Sequence, residues 1–103
     1  MTLIRAPAVD KALRRYREAA GWIAAWRRVV ERADWSNLEE VRKAYPSADG
    51  VKNAHGAVVT VFNVKGGNYR LLTVIRYADQ VTYEIDLLSH GEYERDTWKR
   101  WQL

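Results

Sequence analysis

One histidine, His90, stands three residues before Tyr93 in the stretch Ser89-His90-Gly91-Glu92-Tyr93. About twenty residues upstream, Lys65 and Arg70 bracket Gly66-Gly67-Asn68-Tyr69. An imidazole, a phenol and two cations are what metal-free cleavage of an RNA phosphodiester requires. A base takes the ribose 2′-hydroxyl proton, an acid protonates the leaving oxygen, and cations hold the charge of the phosphorane. Histidine titrates near neutrality and serves in either proton role. Arg70 and Lys65 suit the phosphate. On a helix, residues three apart share a face, so His90 and Tyr93 can address one site, Tyr93 as a proton donor or a base-stacking ring. His90, Tyr93 and Arg70 are therefore the candidate catalytic residues, with Lys65, Asn68 and Arg76 as candidate RNA contacts. Asn63 is a structural hydrogen-bonding residue or a further contact. Each has a plainer role: a histidine at a helix start often only caps it, and strand arginines often only keep a sheet soluble. His55, in a turn, receives no role.

The elements that must carry these residues follow from periodicity. The second half reads as sheet. Val51 to Ala54 is a short strand, Ala57 to Val64 is β-branched, and Tyr69 to Tyr77 is the longest run. Lys65-Gly66-Gly67-Asn68 is the turn between the last two. Alternation puts Arg70 and Arg76 on one face. Gln80 to Leu88 follows, then a short helix or turn from His90. Tyr69, Tyr77 and Tyr83 read as core.

The first half reads as helix. Val9, Leu13, Tyr16 and Ala20 recur at helical spacing over Ala8 to Ala20, with Pro7 at the start. Gly21 marks either a break or only a weak point in the helix. Trp22, Trp26, Val29 and Val30 repeat the pattern over Trp22 to Ala33, which puts Arg27, Arg28 and Arg32 on a basic solvent face. Ser36 or Asn37 can cap a third helix, Leu38 to Ala44. A sheet apolar on both sides needs cover on both. The helices cover one face, and the segment with Trp98 and Trp101 covers part of the other. The expected class is α+β, with about four antiparallel strands, two or three N-terminal helices on one face and a short C-terminal helix.

Composition narrows the chemistry. The chain has 103 residues, 48% of them hydrophobic, and two prolines, which fits one domain over 1–103. It has no cysteine, so disulfides, thiolate metal sites and cysteine nucleophiles are out. No signal peptide or membrane-spanning run stands out, which points to the cytoplasm with no membrane partner. No metal site or cofactor is expected. A net charge of +4 suits a polyanionic partner.

Four stretches in order carry a resemblance. They are Ala33-Asp34-Trp35, then Val41-Arg42-Lys43-Ala44-Tyr45-Pro46-Ser47-Ala48-Asp49, then Val61 to Leu72, then Ser89-His90-Gly91-Glu92-Tyr93. Together they resemble the HigB family of type II toxins, within the RelE-like superfamily, from about Ala24 onward. Leu3-Ile4 fits that family's short first strand. The resemblance implies an endoribonuclease, an mRNA interferase acting on messages on the translating ribosome. It also implies a HigA-type helix-turn-helix antitoxin that neutralises the toxin and carries the complex to operator DNA.

By that resemblance Arg70 binds phosphate, while His90 and Tyr93 carry proton transfer or base stacking. Lys65 fills a basic turn position, and Asn63 is the Asn of Phe-Asn-Val. The family's Asn before Tyr-Arg is displaced here by one position, to Asn68. The family's Arg on the strand before the His falls on Glu84 or Ile85, with Asp86 next to them. An acid there is expected to pair with Arg70 or Arg76 and to repel RNA. Two alternatives to the nuclease stay open. One is a catalytically weak toxin-like protein acting through antitoxin binding and operon control. The other is a non-catalytic basic RNA- or ribosome-binding domain.

Overall fold

In the computed structural model of the chain, which describes residues 1–102, a helical first half packs on a sheet built mostly from the second half. The order is β1 (Thr2–Ile4), α1 (Pro7–Arg15), a 3₁₀ turn (Arg17–Ala19), α2 (Ala20–Arg32) and α3 (Leu38–Ala44). Then come β2 (Asp49–Lys52), β3 (Val58–Val64), β4 (Tyr69–Arg76), β5 (Val81–Ser89), α4 (His90–Glu94) and a second 3₁₀ turn (Thr97–Arg100). The class is α+β as expected, and α3 matches its expected bounds.

Local chemistry sets the helix ends. Pro7 stands at the first turn of α1, where its missing N–H costs nothing. Asn37, rather than Ser36, caps α3, its side chain accepting from the Glu40 N–H at 3.0 Å. The break between the first two helices falls at Tyr16, not Gly21, which lies inside α2. Glycine weakens a helix by only about 0.5–1 kcal/mol. Burial of Ile23, Trp26 and Val30 on one face of α2 outweighs that.

The sheet has five strands in the order β1-β5-β4-β3-β2. About four antiparallel strands were expected, with Leu3-Ile4 as a short first strand by resemblance; that strand, β1, runs parallel to β5, pairing Thr2 with Val81 and Ile4 with Tyr83. Three residues are too few to show an alternation, and a parallel pair forms only through a distant crossover. The other pairs are antiparallel, with a bulge where β4 passes from Leu72 to Thr73.

The sheet buries apolar side chains on both faces. On the helical face Val9, Ile23, Trp26, Val30 and Val41 pack on Phe62, Val64, Leu71 and Leu87. On the other, open face Trp98 and the partly buried Trp101 pack on Val59, Val61, Leu72 and Leu88. The C-terminal segment is thus the expected second cover. It does not reach Tyr83, which is exposed on the open face rather than core.

Two charges depart from the sequence reading. Arg27, expected on a solvent face of α2, is buried. Glu84, expected to meet Arg70 or Arg76, points to the helical face. Its carboxylate accepts from Arg27 Nε at 2.7 Å and Nη2 at 2.9 Å, and from the Ala6 N–H at 3.3 Å. Asp10 takes a further Arg27 bond at 3.1 Å. The cause is the position of Arg27, one turn after Ile23 and beside Trp26, at the margin of the buried stripe. Its apolar stem packs inward and its head needs a buried partner.

Candidate active site

Arg70 stands on the open face of β4, opposite Asn63 of β3 and Leu88 of β5. Its guanidinium is held from behind. Nη1 donates to the Gly67 carbonyl at 2.5 Å and to the Tyr69 carbonyl at 3.3 Å. The turn that supplies the first carbonyl has Lys65, Gly66 and Gly67 all at positive φ. Glycine takes that conformation freely. A Cβ at Gly67 would also touch the guanidinium, 3.4 Å from Arg70 Nη1.

His90 and Tyr93 arrive on α4, a helix of five residues with none of them buried. Such a short helix has little stability of its own, so its ends must be tied. Ser89 caps it in a reciprocal box: Glu92 N–H donates to Ser89 Oγ at 3.2 Å and Ser89 N–H donates to Glu92 Oε1 at 2.9 Å. The His90 N–H donates to the Asn68 carbonyl at 3.0 Å, joining the helix to the β3–β4 turn.

These supports bring three of the expected residues together. Arg70 Nη2 lies 3.5 Å from His90 Nδ1, and the Arg70 guanidinium lies over the Tyr93 ring, 5.4 Å from its centre. The Tyr93 ring stacks on Trp98 at 5.3 Å and 17°, and Trp98 Nε1 donates to the Tyr93 carbonyl at 3.1 Å. An indole on the ring and a guanidinium over it leave the phenol hydroxyl as the reactive part of Tyr93. Burial pushes that hydroxyl above the ordinary tyrosine range, with the Arg70 charge pulling the other way. It is thus a proton donor at neutral pH. His90 Nδ1 faces Arg70, and its Nε2 faces Glu94 Oε1 at 3.7 Å.

The remaining candidates divide. Lys65 and Asn68 are exposed in the turn beside Arg70, and Lys65 makes no ion pair among the described residues. Asn63, half-buried, projects from the same face as its ladder partner Arg70. Arg76 shares that face but stands six residues further along β4, roughly 20 Å away at strand rise. It pairs with Asp79 at 2.9 Å, and the structure does not bring it to the His90 cluster. Ile85 packs against the apolar cluster under Trp98.

A hollow of about 370 Å³ lies between α1 and β5, lined by Lys11, Arg15, Tyr16, Asp86 and Glu92 among others. Its lining includes Glu92 of α4 but none of Arg70, His90 and Tyr93. Asp86 is half-buried there, and burial raises its carboxyl above the usual range; the Leu87 N–H opposes that shift and Glu92 adds to it. At the rim, the Tyr16 hydroxyl donates to Glu92 Oε1 at 2.6 Å. Bonds from the Ser89 N–H and Tyr16 hold the Glu92 carboxyl below its usual range. Burial and the Glu92 charge push the Tyr16 hydroxyl up.

Sequence reasoning missed Tyr16, Glu92, Trp98 and the Gly67 carbonyl as parts of the site. Ser89-x-x-Glu92 is a readable capping box. No local signal, however, joins Tyr16 to a residue 76 positions away. Among the described residues no group of three or more His, Cys, Asp or Glu side chains could hold a metal ion, and no helix is long and apolar enough to cross a membrane.

Comparison with known proteins bears on the same region. The HigB_toxin family model, described as the RelE-like toxic component of a toxin-antitoxin system, matches residues 19–96, which include Arg70, His90 and Tyr93. A curated relative, the mRNA interferase HigB of Escherichia coli O6:H1 (strain CFT073), is 27% identical over 97 residues. That match covers 94% of this chain and 92% of the relative.

Proposed function

The chain belongs to the HigB toxin family of RelE-like toxic components, and from that premise we propose that it cleaves mRNA at the Arg70–His90–Tyr93 cluster. The observation that carries the proposal is the convergence of a cation, an imidazole and a phenol from β4 and α4. Arg70 lies within 3.5 Å of His90 and 5.4 Å of the Tyr93 ring centre.

The reaction these groups suit is internal transfer at phosphorus. The ribose O2′ attacks, the O2′–P bond forms and the P–O5′ bond breaks. One proton leaves O2′ and one reaches O5′, giving a 2′,3′-cyclic phosphate and a 5′-hydroxyl. His90 and Tyr93 divide the two proton transfers. Arg70, locked by the Gly67 carbonyl, holds the non-bridging oxygens as charge builds. Lys65 and Asn68 extend the phosphate contacts along the exposed turn, and Asn63 lies beside Arg70. Arg76 serves a more distant nucleotide. The Glu84 carboxylate, bound by Arg27 on the helical face, does not face the RNA.

Membership of a toxin–antitoxin family implies an antitoxin. The finer assignment is a HigA-type helix-turn-helix protein that neutralises the toxin and links the complex to operator DNA. Cleavage on messages held by translating ribosomes in the cytoplasm completes the reading. A second reading, a slow nuclease kept chiefly for antitoxin binding and operon control, draws on the expected Arg position before His90, which falls on Ile85 or Glu84 and holds no cation in either case.

The test is induced expression in a bacterium with and without the antitoxin gene, with message 5′ ends mapped. Growth arrest with new 5′-hydroxyl ends inside translated regions, lost in His90→Ala, is expected. New ends that persist in both His90→Ala and Arg70→Ala would refute the site. A folded chain that binds the antitoxin and yields no ends would favour the second reading.

A further inference from the structure

We infer that Glu92, together with Tyr16 at the C-terminal end of α1, is the positioning residue of this site, fixing the helix that presents His90 and Tyr93. The inference rests on the nuclease reading for its kinetic consequence but not for its structural one.

At a helical turn of about 100° per residue, His90 and Tyr93 lie close in direction, while Glu92, two residues from His90, points to the far side. The structure uses that far side. Glu92 Oε1 accepts from the Ser89 N–H at 2.9 Å and from the Tyr16 hydroxyl at 2.6 Å. One oxygen therefore closes the helix cap and bolts the cap to the first helix of the chain. The bolt continues behind the phosphate-binding strand. The Tyr16 ring packs on Tyr69 at 4.9 Å, Tyr69 precedes Arg70, and the Tyr69 hydroxyl donates to Glu18. The strand carrying Arg70 and the helix carrying His90 thus meet the same tyrosine from two directions.

This tie matters because α4 buries no residue of its own and spans barely more than one turn. Its other fixed points are the His90 N–H on the Asn68 carbonyl, at 3.0 Å, and the Tyr93 carbonyl under Trp98. Both lie on the turn and C-terminal side. Without the Tyr16–Glu92 contact nothing in this set holds the helix from the α1 side, and the helix can roll about its axis. The Arg70–His90 distance is already 3.5 Å, so a small roll separates them. A displacement of about 1 Å in a reacting group can lower a rate by a factor on the order of 100.

The experiment compares the full chain with Glu92→Ala, Glu92→Gln, Tyr16→Phe and the Tyr16→Phe/Glu92→Ala double variant on a short RNA. Glu92→Ala is expected to lower kcat by roughly 10- to 100-fold with KM little changed, since neither side chain contacts RNA. Tyr16→Phe, which keeps the ring and removes one hydroxyl, should lower kcat less. The double variant should be no slower than Glu92→Ala alone, because both changes cut one strut. Glu92→Gln keeps the accepting oxygen and should recover most of the loss. Unaltered kcat in Glu92→Ala, a loss confined to KM, or no recovery with Gln would each overturn the inference. The second readout needs no activity: amide exchange at His90 to Glu94 should speed in Glu92→Ala and Tyr16→Phe while β3 and β4 stay protected. Should the unmodified chain fail to cleave RNA, the nuclease reading falls. This exchange pattern then decides the positioning role, and unchanged exchange in α4 overturns it.

Discussion

Breaking the buried pair between Arg27 and Glu84 by removing one partner should cost a large part of the protein's stability, and removing both partners together should cost much less. The Glu84 side chain is 0% exposed and that of Arg27 is 10%. Arg27→Met keeps the apolar stem but leaves the carboxylate with only the Ala6 N–H at 3.3 Å. An unpaired buried charge of this kind costs about 3–5 kcal/mol, against a total stability of roughly 5–15 kcal/mol for a small protein. The Asp10 arm adds little, about 1 kcal/mol at most, because that side chain is 53% exposed. At about 4–8 °C per kcal/mol, the thermal midpoint should fall by roughly 12–40 °C. In Arg27→Met/Glu84→Leu the charges leave together. The cost shrinks to the lost Ala6 bond and imperfect packing, about 1–2 kcal/mol. Urea unfolding followed by tryptophan fluorescence measures the unmodified chain, Arg27→Met, Glu84→Leu and the double variant. The double variant should also bind RNA as the unmodified chain does, because the pair lies on the helical face. The reasoning is refuted if Arg27→Met costs less than about 1 kcal/mol, or if the double variant binds RNA more tightly, which would put Glu84 back on the RNA surface.

Other perturbations test the site and its surroundings. Arg70→Ala should lower single-turnover cleavage by roughly 100- to 1000-fold, the usual loss for one charge-stabilising donor, with circular dichroism unchanged. Gly67→Ala places a Cβ at φ +93 and 3.4 Å from Arg70 Nη1, whereas Gly66→Ala meets open space at φ +66. Both should lose about 1–2 kcal/mol of stability from the left-handed backbone, but only Gly67→Ala should also slow cleavage markedly. Asp86→Asn should raise the thermal midpoint at pH 7. The folded carboxyl is shifted above its unfolded value of 3.8, so its charge opposes folding at neutral pH. That penalty fades as pH falls through the folded pKa and is gone below the unfolded one. The gain over the parent chain should therefore disappear near pH 3, and a gain that grew toward low pH would reverse the assignment.

Much of the architecture was legible because it is periodic. The 3.6-residue spacing of α2 and the β-branched runs of β3 and β4 each repeat a local rule. The capped Leu38–Ala44 helix matched its expected bounds for the same reason. Where the pattern was short or non-local, the reading slipped. β1 has three residues and a parallel partner 79 positions away; Tyr83 lies beyond the C-terminal cover; of the two readings of Gly21, break or weak point, the break falls instead at Tyr16 and Gly21 lies inside α2.

What the sequence by itself determined is the chemical inventory: a cation at Arg70, an imidazole and a phenol three residues apart, no thiol, and the turn that joins β3 to β4. Spacing of three on a helix placed His90 and Tyr93 together without a structure. Only the tertiary fold decided which charges stand on the open face of the sheet and which face the core. Glu84 and Arg70 stand on adjacent strands, yet alternation and the bulge after Leu72 turn them to opposite faces. Arg27, 57 residues from Glu84, then captures the acid. Direction across a sheet depends on parity, and one bulge residue reverses it. A linear motif cannot carry that information, nor can it join Tyr16 to Glu92, because both depend on where distant segments come to rest.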